Sequence, residues 1–122
     1  MFLILIPFLN NMTQIVKAEI LWTRNCNLRC QYCGMWKKDG FIKKDWTLWK
    51  RGICNLKDLN CGFVAVYGAE PLTDMEYLPD FFKETIKYGI YHTLITNCSV
   101  KDTKKKILEL VKYGGLNSLT EL

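Results

Sequence analysis

Cys26, Cys30 and Cys33 place three thiols inside the stretch NCNLRCQYCG, with gaps of three and then two residues. Thiols this close serve as disulfide partners, as nucleophiles or as metal ligands. The chain has six cysteines (Cys26, Cys30, Cys33, Cys54, Cys61 and Cys98), and an even count in a short chain can denote a disulfide framework. That framework needs a secretory context. The apolar opening MFLILIPFL has no basic residue before it and no small-residue cleavage site after it, which makes it a poor signal peptide. It is also far too short to span a bilayer. The expected compartment is therefore reducing and cytoplasmic, with the cysteines acting as ligands or core residues.

The number of thiols narrows the metal. A structural zinc site takes four tetrahedral ligands. Here the fourth would come from Cys54, Cys61, Cys98 or His92. Cys54 falls mid-helix near an apolar stripe, and Cys61 sits just ahead of an apolar run, so each reads as a small core residue. His92 opens a strand and reads as a structural or surface histidine. An iron–sulfur cubane is held by cysteine thiolates and normally takes four. Three on one loop leave one iron without a protein ligand, and an open position is what a catalytic metal site keeps. The fourth position is then available to a small molecule.

The elements around the loop must position it. Residues 18–23 (AEILWT) form a short, partly β-branched apolar run, expected to be a strand running directly into the cysteine loop. Trp46, Trp49, Ile53, Leu56 and Leu59 recur at helical spacing, with Asp45 or Thr47 as the cap. Residues 63–67 (FVAVY) suit a strand buried on both faces. A second helix is expected over 78–88, with Pro79 in its first turn and Gly89 at its end. A third strand is expected over 91–96 (YHTLIT) and a third helix over 101–113, with Ile107, Leu108, Leu110 and Val111 apolar. A fourth strand is expected to open at Leu116. Repeated strand–helix units build a parallel α/β sheet with right-handed crossovers, and their functional residues gather at the strands' carboxyl ends. The cysteine loop, Gly68-Ala69-Glu70-Pro71 and Asn97 all fall at such ends and should meet on one rim.

With the order of these three stretches in view, the chain resembles the radical S-adenosylmethionine enzymes. Cys26-x-x-x-Cys30-x-x-Cys33, with Tyr32 before the last cysteine, resembles their cysteine motif. Gly68-Ala69-Glu70-Pro71 resembles their glycine–glycine–glutamate–proline motif, and Ile95-Thr96-Asn97 their third-strand ending. The wording CNLRCQYCG is most similar to the branch of molybdenum-cofactor, quinone-cofactor and peptide maturases. The resemblance implies a partial (β/α)6 TIM-like barrel, of which residues 12–122 would supply about half; Met12 reads as the true start, which makes 1–11 a non-native or flexible arm. It implies that Cys26, Cys30 and Cys33 hold a 4Fe–4S cluster whose open iron takes S-adenosyl-L-methionine. Glu70 would accept from the methionine ammonium, and Gly68 and Ala69 would let backbone approach the cofactor, with a negative φ required at Ala69. The backbone around Tyr32 would contact adenine, and Thr96 or Asn97 would hold the methionine or ribose end. Cys98 stands where the family often has glycine. The implied reaction is reductive cleavage of S-adenosylmethionine to a 5′-deoxyadenosyl radical, which abstracts hydrogen from an unknown small-molecule or peptide substrate. The implied partner is an electron donor such as flavodoxin or ferredoxin. The part of the barrel present here is not expected to turn over substrate alone.

Composition bounds the alternatives. The net charge of +5 arises from 17 basic and 12 acidic side chains. The basic runs Lys37-Lys38, Lys43-Lys44 and Lys104-Lys105-Lys106 are short and carry no interleaved aromatics, which favours a solvated surface over a nucleic-acid patch. A zinc-stabilised binding module and a small iron–sulfur electron carrier are the competing readings. A zinc module would stay colourless on anaerobic reconstitution, and an electron carrier would show no spectral response to S-adenosylmethionine.

Overall fold

A computed structural model describes residues 3–7, 15–38, 43–113 and 118–121. Five strands form one sheet in the order β1 (Leu3–Pro7), β2 (Ile15–Leu21), β3 (Phe63–Tyr67), β4 (Tyr91–Thr96) and β5 (Ser118–Glu121). The pairs β2–β3, β3–β4 and β4–β5 are all parallel, whereas β1 pairs antiparallel with β2. The helices α1 (Trp46–Asp58), α2 (Leu78–Lys87) and α3 (Thr103–Tyr113) supply the crossovers between the parallel strands. The α/β repeat expected from the hydrophobic pattern is therefore present. Of the segment expected to be an arm, residues 3–7 lie along β2, in register from Leu3 opposite Ile20. The expected opening of the fourth parallel strand at Leu116 lies outside the described residues, which resume at Ser118.

Consecutive parallel strands with right-handed crossovers place all three helices on one face. Under them lie Ala18, Ile20, Val64, Val66 and Leu94, all buried. Each helix meets this face at the helical period. Trp49, Gly52, Ile53 and Leu56 are the buried residues of α1, and Leu78, Phe81, Phe82 and Thr85 those of α2. Burying one such large side chain contributes about 1.5–3 kcal/mol. In α3 the apolar stripe is narrower than the sequence suggests. Leu110 is buried and Ile107 packs against the core, but Leu108 and Val111 stand half exposed.

Local chemistry sets the boundaries. The Asp45 carboxylate accepts from the N–H groups of Thr47 (2.9 Å) and Leu48 (3.3 Å), which caps α1. Pro79 occupies the first turn of α2, where a missing N–H costs nothing. Gly89, at φ +70°, ends that helix in a left-handed conformation. His92 is buried, as a structural histidine should be. Its Nδ1 lies 3.1 Å from Thr85 Oγ1 and its ring stacks on Phe82. Among the described residues, no helix is long and apolar enough to cross a membrane.

Candidate functional site

The cysteine loop leaves the sheet where β2 ends. Trp22 still donates its main-chain N–H to the Tyr67 carbonyl (2.7 Å), and the chain then turns away. Cys26, Cys30 and Cys33 are all free thiols and half-buried. Cys33 N–H donates to the Cys30 carbonyl (3.2 Å), making a tight turn between the last two thiols, and the Trp36 indole donates to the same carbonyl (3.0 Å). Leu28 N–H donates to Cys26 Sγ (3.4 Å). Tyr32 stands at the tip of the loop, 95% exposed.

Among the described residues, no three His, Cys, Asp or Glu side chains converge into a group that could hold a metal ion. The three thiols share a loop without sharing a coordination sphere. Their chemistry nevertheless suits iron, since all three are unpaired by disulfides and reachable from solvent. The other thiols lie elsewhere. Cys54 contacts the Tyr88 hydroxyl (3.2 Å) toward the carboxyl ends of α1 and α2, and this contact raises the tyrosine's pKa. Cys61 is buried ahead of β3, and burial pushes its thiol up.

The turn after β3 is pressed against the root of the cysteine loop. Gly68 has φ +147°, and a Cβ there would lie 2.5 Å from the Thr23 carbonyl oxygen. The neighbour that demands glycine in this structure is thus the protein's own backbone. Ala69 N–H donates to the same Thr23 carbonyl (3.0 Å), and Ala69 is absent from the residues with positive φ, as an added methyl requires.

Glu70 is fully buried. Its main-chain N–H donates to the Asn25 carbonyl (3.0 Å), one residue before the first thiol. Oε1 accepts from Leu72 N–H (2.9 Å) and Thr96 Oγ1 (2.7 Å), and Oε2 accepts from Asn97 N–H (2.7 Å). A carboxylate has about four acceptor positions, so one on Oε2 remains. The residue assigned from sequence to a methionine ammonium is thus first a knot, its side chain joining the carboxyl ends of β3 and β4 and its main-chain N–H joining them to the cysteine loop. It also caps the short 3₁₀ turn Pro71–Thr73.

Asn97 carries the knot outward. Its side-chain amide donates to Asn27 Oδ1 (3.1 Å) and reaches Cys26 Sγ at 4.0 Å, while its Oδ1 accepts from Ser99 N–H and Ser99 Oγ (both 2.9 Å). Asn27 in turn donates to Ser99 Oγ (3.0 Å). The structure therefore brings Cys26, Glu70, Thr96 and Asn97 together on one rim, with Gly68 and Ala69 beneath, and leaves Tyr32 apart. Cys98, at φ +55°, occupies the left-handed region, which is the physical reason a glycine suits this position. Sequence reasoning missed Asn25, Asn27 and Ser99. Their only signal was adjacency to Cys26 and Cys98.

The parallel strands β2 to β5 thus form an α/β sheet whose carboxyl-end turns meet a loop of three free thiols. Residues 20–120 match the Radical SAM superfamily, most of the chain, and the chain belongs to that family. No curated protein matches it. Membership places it in a family of enzymes and leaves the maturase branch unassigned.

Proposed function

We propose that this chain is the cofactor-binding part of a radical S-adenosylmethionine enzyme, in which Cys26, Cys30 and Cys33 ligate three irons of a 4Fe–4S cluster. The observation that supports it is the hydrogen-bonded junction of Glu70 with Asn25, Thr96 and Asn97, which ties the thiol loop to two further strand ends. When bound, the cluster supplies the electron for reductive cleavage of S-adenosylmethionine at its open iron.

The protein's own residues bind and orient. Each thiol must lose its proton to ligate. The Asn97 amide, near Cys26 Sγ, is placed to donate to that sulfur. Glu70 keeps one acceptor position for the methionine ammonium, a charge-assisted contact. The backbone of Gly68 and Ala69, the backbone near Tyr32, and the Thr96–Asn97 strand end line the remaining approach. We read the four parallel strands as part of a partial (β/α)6 barrel. The electron is expected from a donor such as flavodoxin or ferredoxin, in a reducing compartment such as the cytoplasm. The substrate is a small molecule or peptide.

Anaerobic reconstitution with iron and sulfide tests the reading. The expected product is brown, with about four irons per chain. Cys26→Ala, Cys30→Ala and Cys33→Ala should each abolish the chromophore, whereas Cys54→Ala, Cys61→Ala and Cys98→Ala should keep it. A colourless protein holding stoichiometric zinc would establish the binding-module reading instead. A brown protein whose spectrum ignores S-adenosylmethionine would indicate an electron carrier.

A further inference from the structure

Trp22 directly precedes the cysteine loop and Lys44 stands just ahead of α1, and both meet Asp74. The Trp22 indole Nε1 donates to the Asp74 main-chain carbonyl (2.8 Å), and the Lys44 ammonium donates to Asp74 Oδ2 (2.5 Å). The ammonium also lies over the Trp22 ring, 4.6 Å from its centroid. All three groups are withdrawn from water. Trp22 is fully buried, and the side chains of Lys44 and Asp74 are 1% and 6% exposed. Asp74 itself closes the 3₁₀ turn that Glu70 opens, donating its N–H to the Pro71 carbonyl (3.0 Å).

A buried ion pair is a weak source of net stability, because the desolvation of both charges offsets their attraction. What such a pair supplies is direction, since an ammonium and a carboxylate held together fix two chain segments in one register. We propose that Lys44 and Asp74 are positioning residues for the thiol loop, a clasp that fixes Trp22 where the chain enters the loop and so limits the arrangements its three thiols sample before metal binds. The inference rests on Cys26, Cys30 and Cys33 being ligands. Partners bonded directly to a ligand change metal affinity by about 10- to 100-fold, and a clasp acting through Trp22 is expected at the lower end of that range.

Cobalt(II), titrated anaerobically into the metal-free protein, is a suitable probe, because its thiolate charge-transfer bands report both affinity and thiolate ligation. The decisive variant is the double replacement Lys44→Met/Asp74→Leu, which removes both charges, keeps apolar volume on Trp22 and leaves the Asp74 carbonyl's role to the new main chain. It should melt within a few degrees of the parent, yet bind cobalt about tenfold or more weakly. The single Asp74→Asn, which strands a buried ammonium, should lose both stability and affinity. A double variant that binds cobalt as tightly as the parent overturns the clasp. So does one that loses melting temperature and affinity together, since that assigns the pair to general stability. If the parent itself shows no cobalt–thiolate bands dependent on the three cysteines, the ligand assignment fails, and the clasp falls with it.

Discussion

Replacing Glu70 with glutamine tests whether the buried carboxylate holds the rim together before any cofactor arrives. The carboxylate faces three donors, the N–H groups of Leu72 and Asn97 and the Thr96 hydroxyl. Glutamine keeps the shape but offers one oxygen and one NH₂ group. If its oxygen stays toward Leu72 and Thr96, the NH₂ faces the Asn97 N–H. If the amide flips, the Thr96 hydroxyl can rotate to accept, but the Leu72 N–H then faces the NH₂. Either way one buried backbone N–H loses its acceptor, which costs about 1–3 kcal/mol. The remaining bonds also fall from charge-assisted to neutral strength, roughly half. The sum is about 2–5 kcal/mol. For a chain of this size that is a fall in melting temperature of roughly 10 °C or more. Urea unfolding of the metal-free protein, followed by tryptophan fluorescence, measures it directly. A variant whose unfolding free energy stays within about 0.5 kcal/mol of the parent would refute the knot. Glu70→Gln should separately weaken S-adenosylmethionine binding to cluster-loaded protein by about 1–3 kcal/mol, the range for hydrogen bonds to charged groups.

Gly68→Ala should destabilise by about 2–4 kcal/mol, because the new methyl would sit 2.5 Å from the Thr23 carbonyl oxygen at φ +147°; an unchanged denaturation midpoint would show that the turn can retreat from the loop. Cys98→Gly should be neutral or stabilising by up to about 1 kcal/mol, since relief of the left-handed φ outweighs glycine's added chain entropy, whereas Cys98→Val should cost about 1–2 kcal/mol. Comparative urea melts of the two variants decide this. Because burial raises the Cys61 pKa, its contribution to stability is full below the ordinary thiol range, about pH 8.5. It declines as pH rises from there toward the folded value, where the unfolded chain alone has released the proton. The stability gap between the parent and Cys61→Ala should therefore narrow from pH 8 to pH 10, and a constant gap would show that the thiol titrates alike in both states.

Much of this protein is written in local pattern. The helical spacing of Trp49, Ile53 and Leu56, the continuous apolar run Phe63–Tyr67 and the punctuation by Asp45, Pro79 and Gly89 are short-range consequences of side-chain periodicity and backbone freedom. They determine the order of strands and helices, and strand–helix order in turn dictates that the cysteine loop, the Gly68–Pro71 turn and Asn97 share a rim. The boundaries were softer. The first parallel strand runs over Ile15–Leu21 rather than 18–23, because pairing with β1 at its start and β3 at its end, not apolar composition, decides its bounds. Only the tertiary structure decided what the rim residues touch. Glu70 is 26 residues from Thr96 and 27 from Asn97, and Lys44 is 30 from Asp74. No local pattern encodes contacts at such separations. They arise when the sheet brings strand ends together and burial obliges each polar group left there to find a partner. That obligation made Glu70 a knot, set Gly68 against Thr23, and brought Trp22 and Lys44 together on Asp74.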